Sequence, residues 1–399
     1  MRLSTTAILA VATIPLVSAF DLHISTSKDE VTITPNVANE LTPDAGKSVY
    51  PKAKVNAAGS CTKPRVRKEW RTLTKAEKKA WIDGIKCMGN MPHSDTLYKT
   101  RIAGGVPLID HNGTHYDDWT YLHVDSNVKT HITGLFFPWH RWYLDAFERA
   151  MRTNCGFNGT MPYWNWGLDV ADFSKSPIFD SDPETGLGTW GKKENDWHVT
   201  DGAFNESIRA YPVPHIIRRQ WTPQPFGENL IFPFEYPNKK LFANETATHE
   251  NMQHMIDNFR GDADAFFGAM EGVRAQGVHN AVHLSIGGDM SDPSPTPSDP
   301  LFWLHHGMLD RVFAMWQAKH PENAQSFSGG SFQHLETYDQ WPTGEPPMVN
   351  TKSLLPVSGM EPADVAVEEV MSITGNYSNK WTGFSGGRLC YTYDNMVSA

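Results

Sequence analysis

A mainly α-helical fold, with long loops and a few short strands, is the class this sequence predicts. Three observations point there. Helical spacing or helix-start signals recur in six segments between Thr74 and Lys319. Residues 167–247 are rich in Gly, Pro, Asp and Trp, which marks long loops with short elements. Of the 399 residues, 40% are apolar and 12% aromatic, with 14 Trp, so there is ample material for a rigid, aromatic-lined core.

The elements follow in order. Thr74-Lys-Ala-Glu77 fits a capping box, and Trp81, Ile82 and Ile85 then form an apolar stripe. Residues 102–110 read as a Gly-containing loop. Asp117 to Val124 turns helical, with Trp119, Leu122 and His123 on one side. Pro138 suits the first turn of a helix running to about Arg152, whose apolar face holds His140, Tyr143, Leu144 and Phe147. His249 to Phe267 reads as one helix and Val278 to Leu284 as another. Asp299-Pro300 is a cap and a first-turn proline, opening a helix from Leu301 to about Lys319. Tyr391-Thr392-Tyr393 reads as a closing strand.

The chain divides into a leader, 1–19, a polar pro-segment or arm, 20–58, and a main domain, 59–399. Arg2, an apolar run from Ala7 to Val17 and the small residues Val17-Ser18-Ala19 have the form of a secretory signal. No later stretch approaches ~18 consecutive apolar residues, so no membrane span is expected. Four cysteines, Cys61, Cys87, Cys155 and Cys390, permit two disulfides and form no C-x-x-C motif. Five N-x-[ST] sequons, at Asn112, Asn158, Asn205, Asn244 and Asn376, suit a secreted glycoprotein. With 35 Lys plus Arg against 45 Asp plus Glu, the net charge is −10. No basic stripe stands out to neutralise phosphates, which argues against a nucleic-acid partner.

The chemistry-bearing residues are histidines. Seventeen are present, and seven of them fall into two groups: His123, His131 and His140, then His279, His283, His305 and His306. His279 and His283 are four apart, so a helix puts both rings on one face, one turn apart. A lone H-x-x-x-H is more often a solvated or structural pair than a metal site. A lone His on an aromatic helix is more often a hydrogen-bonded core residue. Two triplets on aromatic helical segments are harder to read that way. Imidazole-only ligation suits copper, zinc, iron or nickel. Zinc peptidases write the motif H-E-x-x-H, with Glu as the base; here Asn280 follows His279, so that base is missing. Two open three-His sites without bridging carboxylates suit two copper ions that bind O2 between them.

Three stretches carry a resemblance: His131-x8-His140 with Phe137-Pro-Trp-His-Arg; His279-Asn-x-Val-His283; and Asp299-Pro-Leu-Phe-Trp-Leu-His305-His306-x3-Asp310-Arg311. They resemble the two copper signatures of the tyrosinases and catechol oxidases, the type-3 copper polyphenol oxidases. The resemblance covers roughly residues 60 to 393 and is closest to short secreted fungal members. It implies a central four-helix bundle holding a dicopper site. Carried over by position, the first copper would take His123, His131 and His140, and the second His279, His283 and His306. His305 matches the non-ligating partner of the His-His pair. His111 and His115 stand near His123 as rival first ligands. His123 is preferred because Tyr116-Asp-Asp-Trp119-x3-His is similar to the segment bearing the first ligand in fungal relatives. Some members link a Cys to a first-site His; no Cys lies near these residues, so no such bond is expected.

The resemblance further implies oxidation of o-diphenols, and also of monophenols or o-aminophenols, to o-quinones, with O2 reduced to water. The partners are then a small phenol and O2. A haemocyanin-like oxygen carrier and a zinc hydrolase are the rival readings. Asn280 is the candidate catalytic residue, orienting a water that deprotonates a monophenol; a simple hydrogen bond at the helix surface, or one to a metal-binding neighbour, is its plainer role. A buried Glu usually partners that water, and Glu235 is the candidate by its distance upstream. Leu284 would line the substrate entrance, and Asp310 could orient an imidazole. The preferred cysteine pairing is Cys61–Cys390 with Cys87–Cys155, which ties the two ends of the domain together.

Overall fold

The computed structural model describes residues 54–99, 105–109, 112–227, 238–272 and 276–396. The expected leader and most of the arm lie outside them, as do His111 and Glu235. Among the described residues, helices dominate, strands come only in two-residue to four-residue pieces, and no helix is long and apolar enough to cross a membrane.

Helix α1, Lys75–Met88, starts at the expected capping box: Thr74 Oγ1 accepts from Glu77 N, and Glu77 Oε2 accepts from Thr74 N at 2.8 Å. Trp81, Ile82 and Ile85 are buried as the stripe requires. Helix α2, His115–Thr130, is longer than the sequence reading at both ends. A second box, Thr114 with Asp117, opens it, so Asp117 is the partner of the cap rather than the first helical residue. Helix α3, Phe136–Cys155, carries Pro138 in its first turn and stops at Gly156, whose φ of 65° is left-handed. A four-residue helix follows the long loops, α4, Ala243–Thr246.

The expected single helix over 249–267 is instead two, α5, His249–Asn258, and α6, Ala263–Glu271. The cause is local: Gly261 takes a φ of 68°, and Asp262 caps α6 by accepting from Ala265 N at 3.0 Å. Helix α7, Val278–Ile286, follows a tight approach at Gly272, where a Cβ would lie 2.0 Å from Gly277 N. Helix α8, Leu301–Lys319, has the expected bounds, with Asp299 Oδ1 accepting from Leu301 N at 3.0 Å.

Helices α2, α3, α7 and α8 form the central bundle, with α1 laid against α3 and α5 against α8. Aromatic rings fill it: Phe147 stacks on Trp303 with centroids 3.7 Å apart, and Trp119 and Tyr143 close around them. The strand Arg65–Arg67 pairs in parallel with Tyr391–Tyr393, so the two ends of the domain meet. Disulfides Cys61–Cys390 and Cys87–Cys155 match the preferred pairing. The first spans 329 residues, a long loop whose closure restrains the unfolded chain. Replacing Cys61 and Cys390 with Ala is expected to cost about 2–5 kcal/mol, read by urea unfolding; an unchanged midpoint would show that the strand pair alone holds the ends.

Beneath the closing strand lies a buried ionic cluster. Asp310 accepts from Arg141 Nε at 2.5 Å, Tyr391 OH at 2.6 Å and Tyr393 OH at 2.5 Å. Arg67 pairs with Glu148 at 3.1 Å and lies 3.6 Å from Asp310. This corrects the expectation that Asp310 orients an imidazole. It stands one turn beyond His306 on α8, but its oxygens are taken up by cations and tyrosines at the domain closure. Burial pushes its carboxyl up; Arg141 and Arg67 outweigh that and hold it below the ordinary range.

Candidate metal centre

The bundle brings the two histidine groups together at its core. His123 comes from the middle of α2, His131 caps its C-terminus, and His140 stands one turn into α3. One ring nitrogen from each of these three lies within 4.8 Å of the others. His279 and His283 come from one face of α7, and His305 and His306 from α8. These four also offer nitrogens within 4.8 Å of one another. The groups abut: the rings of His140 and His306 stack 4.3 Å apart, and His131 faces His279 at 6.2 Å.

Second contacts orient the rings. The Nδ1 atoms of His123, His140 and His283 lie 2.6, 2.8 and 2.8 Å from the carbonyls of Ser294, Phe136 and Met290. His131 Nδ1 lies 3.2 Å from the Asn127 carbonyl. A carbonyl only accepts, so these contacts place the proton on Nδ1 and leave the lone pair on Nε2. His123 Nε2, His140 Nε2 and both nitrogens of His279 are buried without a hydrogen-bond partner. Core histidines are ordinarily satisfied, so orphaned nitrogens turned toward one another fit a metal. His283 Nε2 and His306 Nε2 stand 3.2 Å apart.

Burial also keeps the rings neutral, the form that ligates. It pushes His131 down to about 4 and His283 down to about 3, and it holds His123, His140, His279 and His306 well below the usual imidazole range. No carboxylate joins either group among the described residues. Phe302 covers His306 at 4.2 Å and His123 at 5.2 Å, and Phe136 covers His279 at 4.8 Å, which dries the site.

His115, the rival first ligand, sits elsewhere: its Nδ1 meets Asp118 at 3.0 Å and its Nε2 meets Asn154 at 3.2 Å. His305 lies inside the second group, its ring parallel to His279 at 5.6 Å and edge-on to His283 at 4.5 Å. All four cysteines are in disulfides, so none reaches a ring. Asn280 is half-buried beside His279. Leu284 is half-buried against the core.

One residue escaped the sequence reading. Glu271, the last residue of α6, is buried, and its Oε1 accepts from Ile132 N at 2.7 Å. Ile132 directly follows His131 and takes a φ of 53°, unusual for a β-branched side chain. Glu271 thus braces the turn that aims His131. The signal lay in the chain: an acid ending a helix stands against the helix dipole, which favours cations there. Burial raises its carboxyl to about 8. A raised acid stabilises the fold fully below its unfolded value near 4.5 and loses that contribution as pH rises through about 8. Glu271→Gln keeps an acceptor for Ile132 N but cannot ionise. Unfolding followed from pH 4.5 to 8 should therefore show the variant gaining on wild type, by at most ~1.4 kcal/mol per unit. A constant difference would contradict the raised value.

Two abutting all-imidazole groups inside a four-helix bundle fit one class: a helical protein whose core histidines could hold soft-to-borderline metal ions. The common central domain of tyrosinase matches residues 113–319, just over half the chain, and the chain belongs to the tyrosinase family. Tyrosinase-like protein phomQ1 of Diaporthe leptostromiformis is 28% identical over 349 residues, covering 85% of this chain and 80% of its own. Tyrosinase P of Aspergillus terreus is 28% identical over 369 residues, covering 84% and 94%. The N-acetyl-6-hydroxytryptophan oxidase ivoB of Emericella nidulans is 26% identical over 369 residues, covering 82% and 92%. A polyphenol oxidase from Thermothelomyces thermophila superposes with a TM-score of 0.62 over 83% of this chain and 88% of its own, at 24% identity, and shares the fold.

Proposed function

We propose that the chain is a secreted dicopper polyphenol oxidase that converts o-diphenols to o-quinones while O2 is reduced to water. The observation that carries this reading is the abutting pair of all-imidazole groups. In it, His123, His131 and His140 hold one copper, and His279, His283 and His306 hold the other. When bound, the metals supply the electron transfer between phenol and O2. The protein's share is geometric. Backbone carbonyls set which ring nitrogen of His123, His131, His140 and His283 faces inward, and Phe302 and Phe136 exclude water. Glu271 braces the His131 turn.

Leu284, one position after His283, lines the entrance and offers an apolar contact to an aromatic ring. Asn280, one position after His279, is the residue placed to hold a water near an incoming phenol. The name of the Emericella relative, an oxidase of a hydroxylated tryptophan, supports a phenolic substrate class. The leader, the sequons and the two disulfides support export, with residues 20–58 as a pro-segment or N-terminal arm and 59–399 as the catalytic domain.

Copper-loaded protein, reduced without air and then exposed to O2, should develop a near-UV absorption band. Catechol should then draw O2 uptake and quinone colour. A reversible band without turnover would favour an oxygen carrier. Zinc without copper, from expression with both metals supplied, would favour a hydrolase and refute the assignment.

A further inference from the structure

One of the five sequons differs from the rest in its setting. Asn112, Asn158, Asn205 and Asn376 are exposed, whereas Asn244 is half-buried and lines a cleft of about 330 Å³. That volume is at the lower end of what holds small organic ligands, ~300–1,000 Å³. Phe173, Trp221, Pro223 and Phe242 supply apolar walls, and Asp172 and Glu245 supply acceptors. Trp221 is braced by Trp190 at 5.2 Å, while Phe242 is left 44% exposed, a large aromatic ring in water. Asn244 Nδ2 donates to the Val170 carbonyl at 2.5 Å. An amide nitrogen has two hydrogens, so one remains. Phe242, Asn244 and Thr246 are spaced two apart, with the ring before the acceptor and the hydroxyl after it. The apolar face of a pyranose stacks on such rings, and its hydroxyls can donate to the flanking carboxylates.

We infer that Asn244 carries an N-linked glycan whose first sugar seats in this cleft against Phe242 and Trp221, while glycans at the exposed sequons project freely. This rests on the reading that the chain enters the secretory pathway. The bond forms between Nδ2 and the anomeric carbon of a lipid-diphosphate-linked oligosaccharide. The anomeric carbon–oxygen bond breaks, the lipid diphosphate leaves with its electron pair, and one amide proton is released. The other N–H stays on Nδ2, as a donor. The seated sugar covers Phe242, so the glycan acts as part of the fold at this one position.

The test is secretion of the full chain from a glycosylating eukaryotic host, glycopeptide mass spectrometry, and timed glycosidase release from the folded protein. Asn244 is expected to be modified and its glycan released about tenfold more slowly than that at Asn205, the protection that ~1.4 kcal/mol of docking gives. Thr246→Val removes the sequon and keeps the Asn244–Val170 bond, but it also loses the Thr246 donation to the Ala243 carbonyl at 2.7 Å. It is therefore expected to lower the melting temperature more in chain made by the glycosylating host than in chain made without glycosylation, and Asn205→Gln is expected to lower it in neither. An unmodified Asn244 beside occupied Asn158 and Asn205 overturns the inference alone. So does release at the Asn205 rate, which is read on the unmutated chain and needs no variant to fold. Five unmodified sequons overturn it together with the secretory reading.

Discussion

His140→Ala and His283→Ala are each expected to abolish the near-UV band and the oxidase activity. His140 belongs to the first group and His283 to the second, and each ring has its Nδ1 committed to a backbone carbonyl. Only Nε2 is left to ligate, and Ala supplies no replacement. Removing a group that merely orients a ligand costs about 10–100-fold in affinity or activity; removing the ligand itself should exceed that. Copper per chain should fall by about one in each variant, because the other group keeps its imidazoles. His254→Ala is the control: this exposed residue of α5 belongs to neither group, so band and copper should be retained. A full band in either ligand variant would refute the assignment.

Asp310→Ala is expected to destabilise the fold by about 3–5 kcal/mol, because it leaves buried cations without their carboxylate. Asp310 takes Arg141, Tyr391 and Tyr393 on its two oxygens and lies 3.6 Å from Arg67. Glu148 still pairs with Arg67 in the variant. The loss is therefore one centre of the cluster rather than all of it. Tyr391→Phe, which removes one hydroxyl donated to that carboxylate, should cost less, about 1.5–3 kcal/mol. Urea unfolding reads both. Copper affinity measured on the folded variant separates this account from an imidazole-orienting role: the closure role leaves affinity near wild type, and the orienting role lowers it about 10–100-fold. A loss below ~1 kcal/mol for Asp310→Ala would contradict the cluster.

The same residue shows what was legible in the chain and what was not. Spacing of four from His306 tells which face of α8 Asp310 shares, but not which neighbour fills that space. The neighbours are Arg67 and the 391–393 strand, far away in sequence. Local signals did better. The Thr74–Glu77 box and the Asp299-Pro300 start placed α1 and α8, since each cap is closed within three residues. The break at Gly261-Asp262 is just as local, but the apolar pattern continues on both sides and hides it. The histidine groups could be read because each pair of ligands on one helix has a fixed period. An acid at the end of a helix marks Glu271 as unusual, but its role could not be read, since its partner Ile132 is 139 residues away. The disulfide pairing rests in the sequence only on a guess at topology, since four cysteines alone leave three choices.

The central claim is that two ions sit side by side, each held by three imidazoles. Anomalous scattering from copper-loaded crystals, collected at the copper edge, tests it most directly. Two peaks are predicted, one among His123, His131 and His140 and one among His279, His283 and His306. A single peak, or one displaced from either triplet, would contradict it.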